Sequence, residues 1–356
     1  MGGKLRSTRW KLALNIITIV ALVALAYAVR DQLADTLSNF RKVNLWVLLL
    51  MIPLQVGNYY FQGKLYQGLF RLLGDRFRTR SMVRMALELA FVNTVFPSGG
   101  VSGFSYISIR LKDERVSAGK ATLVQMMRFI LIFIAFQAML FTGLLALAIG
   151  GQASDVAILV AGSLATLLLT GTLLMGYVIG GKQRINAFFT FITRVLNRII
   201  HVVRRKNPET ISIKKAEAAF TELHENFMQL RRNLRTLRWP LLFALLACLT
   251  EVATIYIVYV AFGEWVNPGA VIIAYAVANF AGLISILPGG VGVYEALMTG
   301  VLTASGVPAA ISLPVTVMYR VLNMLIQLAP GYWFYHRALH SEPIAYEDDV
   351  VVQKKD

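Results

Sequence analysis

The chain has 356 residues, of which 57% are apolar or aromatic and only 15% are charged, and its mean hydropathy is +0.61. Soluble globular domains carry about 25% charged residues. The composition therefore excludes a water-soluble protein, a disordered chain and a collagen-like repeat, and it predicts an all-α polytopic membrane protein. Lys and Arg number 35 against 19 Asp and Glu, a net charge of +16. In a membrane protein this excess indicates cytoplasmic loops beside anionic lipid rather than nucleic-acid binding.

Apolar runs of about 20 residues are long enough to cross the hydrocarbon core of a bilayer. Six such runs predict spanning helices, at 10–29, 45–61, 122–149, 156–179, 239–262 and 311–335. The first run has the basic start and the A-x-A pattern of a signal peptide, but its length favours a retained helix. Two further apolar stretches, 82–109 and 270–304, are interrupted by Pro and Gly.

Basic residues orient these helices, because Lys and Arg are enriched in cytoplasmic connections. Lys and Arg occur close to the N-terminus and are concentrated in three segments: 63–81, 110–120 and 182–238. Three other connections carry none: 150–155, 263–269 and 305–310. The bias predicts a multi-pass protein of the cell (inner, cytoplasmic) membrane with both termini in the cytoplasm and 30–43 as an outer loop. Since the connections that flank 82–109 are both inside, and those that flank 270–304 are both outside, each stretch must enter the membrane and return as a re-entrant hairpin.

The two hairpins contain similar breaks, Phe96-Pro97-Ser98-Gly99-Gly100 and Leu287-Pro288-Gly289-Gly290, and each precedes a span with one intramembrane Arg. We therefore predict an inverted-topology repeat, as in many secondary transporters, in which one repeat rocks against the other. Residues 1–150 form the first repeat and 151–340 the second, with a cytoplasmic amphipathic insert at 182–238 and a mobile tail at 341–356. The alternative is a chance coincidence of two Pro-Gly-Gly breaks in a Gly-rich protein.

The breaks point to a binding site, because Pro and Gly end the preceding helix and a new half-helix then starts, near Val101 and near Val291. A helix N-terminus attracts anions, and Arg binds phosphate with two parallel hydrogen bonds. The candidate residues for a lipid head group are Arg128, Arg320, Glu295, Glu88, Glu251, Ser98, Gly99, Gly100, Ser102, Gly289, Gly290, Gly292 and Tyr294. The acids could tune the charge of the site or carry a coupling proton. Two structural alternatives stay open: the glycines allow close helix packing, and the arginines form ion pairs with the acids.

Other chemistry has no signature in the sequence. The pair His336 and His340 lacks a third metal ligand, and the Gly-Lys at 119–120 lacks the rest of a phosphate-binding loop. We therefore expect no enzyme activity, no metal and no cofactor.

The Pro-Gly-Gly-Val-Gly-Val-Tyr-Glu run at 288–295, the earlier Pro-Ser-Gly-Gly run, Arg128 and Arg320 together resemble the lysylphosphatidylglycerol synthase transmembrane family. The resemblance covers about residues 10–335. Its best-known member is the bacterial multiple peptide resistance factor, whose membrane half acts as a lipid flippase, and relatives are fused or adjacent to glycosyltransferases and lipid enzymes. The soluble aminoacyl-transferring domain has no counterpart in this sequence, so the resemblance does not imply lysyl transfer. The extra Ser98 also makes the two hairpins unequal.

The leading functional prediction is a translocase for an anionic phospholipid, a modified phospholipid or a polyprenyl-phosphate lipid, with membrane lipids as its partners. The second is a non-transporting membrane partner that docks a glycosyltransferase or a lipid-modifying enzyme through 182–238. An intramembrane enzyme is a weaker third hypothesis, because no nucleophile–base pair or metal site is evident.

Overall fold

The computed structural model describes residues 18–96, 101–111, 116–151, 154–184, 225–228, 234–284 and 290–339, together with 187, 190 and 346. Within these ranges the chain is helical, and the isolated bridge between Phe77 and Tyr346 is the β-type pairing present. The first half contains α1 (Thr18–Ala28), α2 (Arg30–Asn39), α3 (Leu45–Leu48), α4 (Met51–Leu72), α5 (Thr79–Val95), α6 (Val101–Arg110) and α7 (Ala118–Ile149). The second half contains α8 (Asp155–Ile179), α9 (Arg238–Ala261), α10 (Pro268–Ile284), α11 (Val293–Ala304) and α12 (Ala309–Leu339).

Four of these helices, α7, α8, α9 and α12, are long and apolar enough to cross a membrane, among the residues that the structure describes. With 32 and 31 residues, α7 and α12 extend over about 48 Å and about 46 Å at about 1.5 Å per residue, which exceeds the hydrocarbon thickness of about 30 Å. The four correspond to the predicted spans 122–149, 156–179, 239–262 and 311–335. An all-helical, multi-pass membrane protein is thereby confirmed.

The predicted span 45–61 starts where the structure starts a helix, but it is divided and it ends too early. The short helix α3 occupies its first four residues, and α4 starts at Met51 and continues to Leu72, so half of the predicted connection 63–81 is helical. Lys64 and Arg71 interrupt the apolar sequence of α4, so the sequence does not indicate that one face of this helix is fully buried. That face comprises Leu65, Tyr66, Leu69 and Phe70, none more than 1% exposed.

The predicted loop 30–43 is helical instead, because α2 and a 3₁₀ turn at Phe40–Lys42 occupy it. α2 follows α1 after a single turn residue, Val29, and packs against α12. Of the predicted first span, 10–29, residues 10–17 lie outside the described part of the chain. The described part is an apolar helix of 11 residues with Leu25 buried against its neighbours.

Helix starts follow both Pro-Gly-Gly breaks. α6 starts at Val101, as predicted, and α11 starts at Val293, two residues after the predicted position. The later start follows from Gly292, which holds a φ of +85°, a conformation that Gly adopts at no steric cost. Residues 97–100 and 285–289 themselves lie outside the described residues.

Two side-chain contacts show which connections share an end of the molecule. Lys120 Nζ lies 2.9 Å from Asp75 Oδ2, so the basic connections before α5 and after α6 meet. Ser154 Oγ donates to Ala304 O at 2.6 Å, so the connections before α8 and after α11 meet. Because the length of α7 separates Lys120 from Ser154, the two groups of connections lie at opposite ends of the bundle.

Helices of the first half pack against helices of the second half. Where α5 meets α12, a Cβ on Gly331 would lie 2.8 Å from Phe91 Cβ. Where α7 meets α10, a Cβ on Gly269 would lie 2.3 Å from the carbonyl oxygen of Gly143. Small residues thus allow the backbones to approach closely, as is usual between helices in membranes.

The predicted tail and insert are only partly described. In the tail, Tyr346 contacts the bundle: its ring lies 4.6 Å from that of Phe77 and its carbonyl oxygen accepts from Arg78 Nε at 3.0 Å. Tyr346 packs against the buried Phe77, a contact that the polar sequence of the tail does not indicate. Within 182–238, most residues lie outside the described part, so the amphipathic pattern there stays a prediction.

Candidate functional site

A polar cavity of about 370 Å³ lies between the two halves of the bundle. Seven helices form its wall: α4, α5, α7, α9, α10, α11 and α12. Three of its lining residues are charged: Arg128, Glu251 and Arg320. Five are tyrosines: Tyr59, Tyr66, Tyr275, Tyr294 and Tyr319. A cavity with this lining offers hydrogen-bond donors, acceptors and charges to a polar group.

Arg320 forms an ion pair with Glu295, which lies in the first turn of the second half-helix, α11. Its guanidinium donates to Glu295 Oε1, and both residues are about 5–6% exposed. The Tyr294 ring lies 4.7 Å from the guanidinium carbon, a cation–π contact. Glu295 also accepts from Gln32 of α2 at 3.0 Å. Arg320 and Glu295 together are therefore a neutral unit that joins α2, α11 and α12.

The Glu295 carboxylate also caps the N-terminus of α11. Glu295 Oε2 accepts from the backbone N–H of Gly292 at 2.6 Å, which is one half of a capping box. A negative charge in the first helical turn also offsets the helix dipole. Of the other predicted residues at this end, Gly290 has a φ of +67° and turns the chain into α11, and Gly289 lies outside the described residues. The anion expected at this half-helix is thus supplied by the protein itself.

Arg128 differs from Arg320, because no acidic residue in the described part of the chain forms an ion pair with it. Its Nη2 donates to Gln62 Oε1 at 3.2 Å, and its carbon lies 5.4 Å from the Tyr66 ring and 5.7 Å from the Phe129 ring. Its Nε is buried and has no hydrogen-bond partner among the described residues. An arginine thus faces the cavity with unused donor capacity and without an ion-pair partner among the described residues.

Glu251 of α9 is the acidic counterpart of Arg128 in the cavity wall. Three neutral donors bind its carboxylate: Tyr319 Oη at 2.5 Å, Asn323 Nδ2 at 2.7 Å and Gln55 Nε2 at 3.1 Å. Gln55 also donates to Thr254. No ion pair forms between Glu251 and the described residues.

Glu88 lies away from the cavity lining. Its carboxylate accepts from Tyr106 Oη at 2.8 Å and from Arg110 Nε at 3.2 Å, so it connects α5 to α6. Ser102, at the start of α6, donates to Asn93 Oδ1 at 3.2 Å, and Asn93 lines the cavity. The predicted residues Ser98, Gly99 and Gly100 lie outside the described residues. The structure thus brings Arg128, Arg320, Glu251 and Tyr294 to one cavity, with Glu295 behind Arg320 and Glu88 elsewhere.

Apart from Tyr294, the amide and tyrosine residues that complete the wall are not among the residues predicted from the sequence. Tyr59 Oη donates to Gln327 Oε1 at 2.8 Å, and Gln327 Nε2 donates to Thr94 at 3.2 Å, which joins α4, α12 and α5. A signal was present: polar residues recur at helical spacing within apolar runs. The spacing appears as 59, 62 and 66 in α4 and as 320, 323 and 327 in α12.

The helical bundle and its charged centre define a polytopic membrane protein with an internal polar site. The chain belongs to the family described as the lysylphosphatidylglycerol synthase transmembrane region, whose model matches residues 12–331. This finding confirms the resemblance that rests on the two Pro-Gly-Gly runs and on Arg128 and Arg320.

Curated relatives carry the name UPF0104 membrane protein. Two from Methanothermobacter thermautotrophicus are 33% identical over 99 residues and 24% identical over 141 residues. These matches cover 28% and 39% of this chain and 30% and 41% of the relatives. One from Pyrococcus horikoshii is 22% identical over 169 residues, 47% of this chain and 50% of the relative. Each match spans half or less of the relative, and no solved structure matches this chain.

Proposed function

We propose that this protein moves an anionic lipid between the leaflets of the membrane, and that Arg128 binds the phosphate of the head group in the central cavity. The proposal rests on one observation: Arg128 faces the cavity without an acidic partner in the described part of the chain, whereas Arg320 is neutralised by Glu295. Family membership agrees with a lipid-related function.

The energetics of Arg128 support a ligand. An arginine at the centre of a membrane helix costs about 2.5–3.5 kcal/mol on insertion scales, and it is usually paired. Gln62 and two aromatic rings compensate only part of this charge. A phosphate offers two acceptor oxygens in the geometry that a guanidinium matches, and it cancels the charge.

The dimensions of the cavity also support a head group. Ligand pockets typically measure about 300–1,000 Å³, and the volume of about 370 Å³ lies at the lower end of that range. A phosphodiester with a small polar substituent fits such a space, while its acyl chains stay in the surrounding lipid. The translocation of a lipid makes and breaks no covalent bond, so the proposal includes no catalytic residue.

Two re-entrant hairpins in an inverted repeat would place this cavity near the middle of the bilayer, with both termini in the cytoplasm. The contacts of Asp75 with Lys120 and of Ser154 with Ala304 support this topology. So do the helix starts at Val101 and Val293. An anionic head group at Arg128 would then reach either leaflet over half the membrane thickness, as in transporters with a site at the midplane.

The test is leaflet exchange of fluorescent phosphatidylglycerol in proteoliposomes, measured with a membrane-impermeant quencher. A charge-assisted hydrogen bond contributes about 2 kcal/mol, so R128Q should lower exchange about 30-fold, and R128K should retain more of it because the charge persists. The matched control is R30Q, since Arg30 lies on the surface beside Asp31 with its side chain 57% exposed, and it should exchange lipid at the wild-type rate. Equal rates for wild type and R128Q, or a wild-type rate equal to that of protein-free vesicles, would contradict the proposal.

A further inference from the structure

Glu251 is a buried acid that the head-group site does not use. Its carboxylate accepts three hydrogen bonds, all from neutral side chains: Tyr319, Asn323 and Gln55. An ionised carboxylate has about four acceptor positions, so these donors satisfy most of them. What the described surroundings do not supply is a positive charge within ion-pair distance.

The neighbouring Asn323 can serve both protonation states of this acid. Its Nδ2 donates to Glu251 Oε1 at 2.7 Å, and its Oδ1 is buried without a hydrogen-bond partner among the described residues. Nδ2 suits the carboxylate. When the amide turns over, Oδ1 instead accepts from a protonated acid, because a carboxylic acid is itself a donor. One side-chain rotation therefore accommodates the gain of a proton without leaving an additional polar atom unpaired.

Charge balance links this acid to the head-group site. Arg128 and Glu251 line the same cavity and are its two charges without an ion-pair partner among the described residues. With Glu251 ionised, their two charges sum to zero over the cavity as a whole before a lipid binds. When a phosphodiester cancels the charge of Arg128, the cavity as a whole is left with the negative charge of the carboxylate in a medium of low dielectric constant.

We propose that Glu251 takes up a proton when the anionic head group binds and releases it when the head group leaves, so that one proton travels with each lipid. This inference rests on the proposed function, because it needs a head group at Arg128. The proton adds to one carboxylate oxygen of Glu251, which keeps the loaded cavity neutral while it faces either leaflet. The protein would thus be a proton–lipid symporter.

The other titratable or charged groups of the cavity belong to residue types that ordinarily change their charge outside the range that the test uses. Those that line the cavity with Glu251 are Tyr59 and Tyr66 of α4, Arg128 of α7, Cys248 of α9, Tyr275 of α10, Tyr294 of α11 and Tyr319 with Arg320 of α12. Cysteine and tyrosine ordinarily ionise near pH 8.5 and 10, and arginine stays charged. Glu295 forms an ion pair with Arg320. Among the described acids of this site, Glu251 is therefore the one without an ion-pair partner.

The experiment measures the final leaflet distribution of fluorescent phosphatidylglycerol in proteoliposomes of phosphatidylcholine and phosphatidylglycerol. Valinomycin with equal potassium on both sides holds the membrane potential at zero, and a pH difference of about one unit is imposed. One proton per lipid would enrich the probe up to about tenfold in the leaflet that faces the more alkaline side, because one pH unit is a tenfold ratio of protons. Reversing the pH difference should reverse the enrichment, and protein-free vesicles should show none.

The outcomes separate this inference from the proposed function. Wild type that does not exchange lipid at equal pH contradicts the proposed function itself. Wild type that exchanges lipid but distributes it evenly under the pH difference overturns the proton proposal alone. E251Q cannot take up the proton, so its distribution should stay even, whereas E251D should keep the enrichment. A final distribution does not depend on rate, so slower exchange by a variant does not change its interpretation. Enrichment by E251Q equal to that of wild type would overturn the role of Glu251.

A second measurement does not require transport. Phosphatidylglycerol is added to the purified protein in detergent at about pH 6, and the infrared difference spectrum is recorded. A band of a protonated carboxyl group should appear for wild type and for R30Q, and it should be missing for E251Q and for R128Q. Its absence in wild type, or its presence in E251Q, would overturn the proposal.

Discussion

Removal of one charge from the Arg320–Glu295 pair should strongly destabilise the protein. Each side chain is about 6% exposed, and Glu295 also accepts from Gln32 and from the N–H of Gly292. R320M therefore leaves a buried carboxylate with neutral donors, and E295Q leaves a buried guanidinium without its counter-charge. The expected cost of either single substitution is about 3–5 kcal/mol of unfolding free energy. Gln at this position can still close the capping box, so E295Q isolates the loss of charge.

The double variant R320M/E295Q should be more stable than the sum of the two single effects predicts. Replacement of both members of a buried pair by neutral groups is often close to neutral, because both desolvation penalties are removed. We expect the double-mutant cycle to show a coupling of at least about 2 kcal/mol, within the range of contacting residues. The free energy of unfolding would be measured by titration of the purified protein with sodium dodecyl sulfate in mixed micelles.

An exposed ion pair provides the control for this cycle. Arg30 and Asp31 lie 3.5 Å apart with side chains 57% and 89% exposed, and such pairs contribute about 0–1 kcal/mol. R30M should therefore change stability by less than about 1 kcal/mol. Strict additivity of the two single effects at Arg320 and Glu295, or a cost of R320M no larger than that of R30M, would refute the view that charge compensation stabilises this site.

Two further predictions concern packing and topology. A Cβ on Gly63 would lie 2.5 Å from a methyl group of Val83 and 2.8 Å from its backbone nitrogen, so G63A should cost about 1–3 kcal/mol in the same titration. G171A, where nothing lies within 4 Å of the added carbon, should instead stabilise α8 by up to about 1 kcal/mol, and equal effects of the two would contradict this packing. Because Lys120 and Asp75 form an ion pair at 2.9 Å, D75C and K120C should react with an impermeant maleimide from the same side of the membrane, and together they should be joined by a short bismaleimide. Labelling from opposite sides would exclude a hairpin between them.

Much of the bundle was predictable because apolar run length is a strong signal when charges are absent. The ends of α8 and α9 agree with the sequence prediction within one residue. The sequence prediction misplaces α4 because Lys64 and Arg71 interrupt its apolar run, although neither belongs to its buried face. α2 was missed because its polar sequence has no long apolar run, although it packs on α12.

The candidate site was only half predictable. Rare charges in apolar helices are visible in a sequence, and this singled out Arg128, Arg320 and Glu251. Which charges pair is a property of distance, and no spacing distinguishes Arg320, which meets Glu295, from Arg128, which does not. Glu88 illustrates the same limit, since its partner Arg110 belongs to the next helix and was assigned to a loop.

The packing of helices between the two halves has a mechanical consequence. α5 packs on α12 at Gly331, and α10 packs on α7 at Gly143, so the helix before each Pro-Gly break is fixed to the other half of the chain. A hinge between residues 1–150 and 151–340 would have to separate both contacts. In the transport cycle that we propose, each moving body would therefore combine helices of both halves, one with α5 and α12 and the other with α10 and α7.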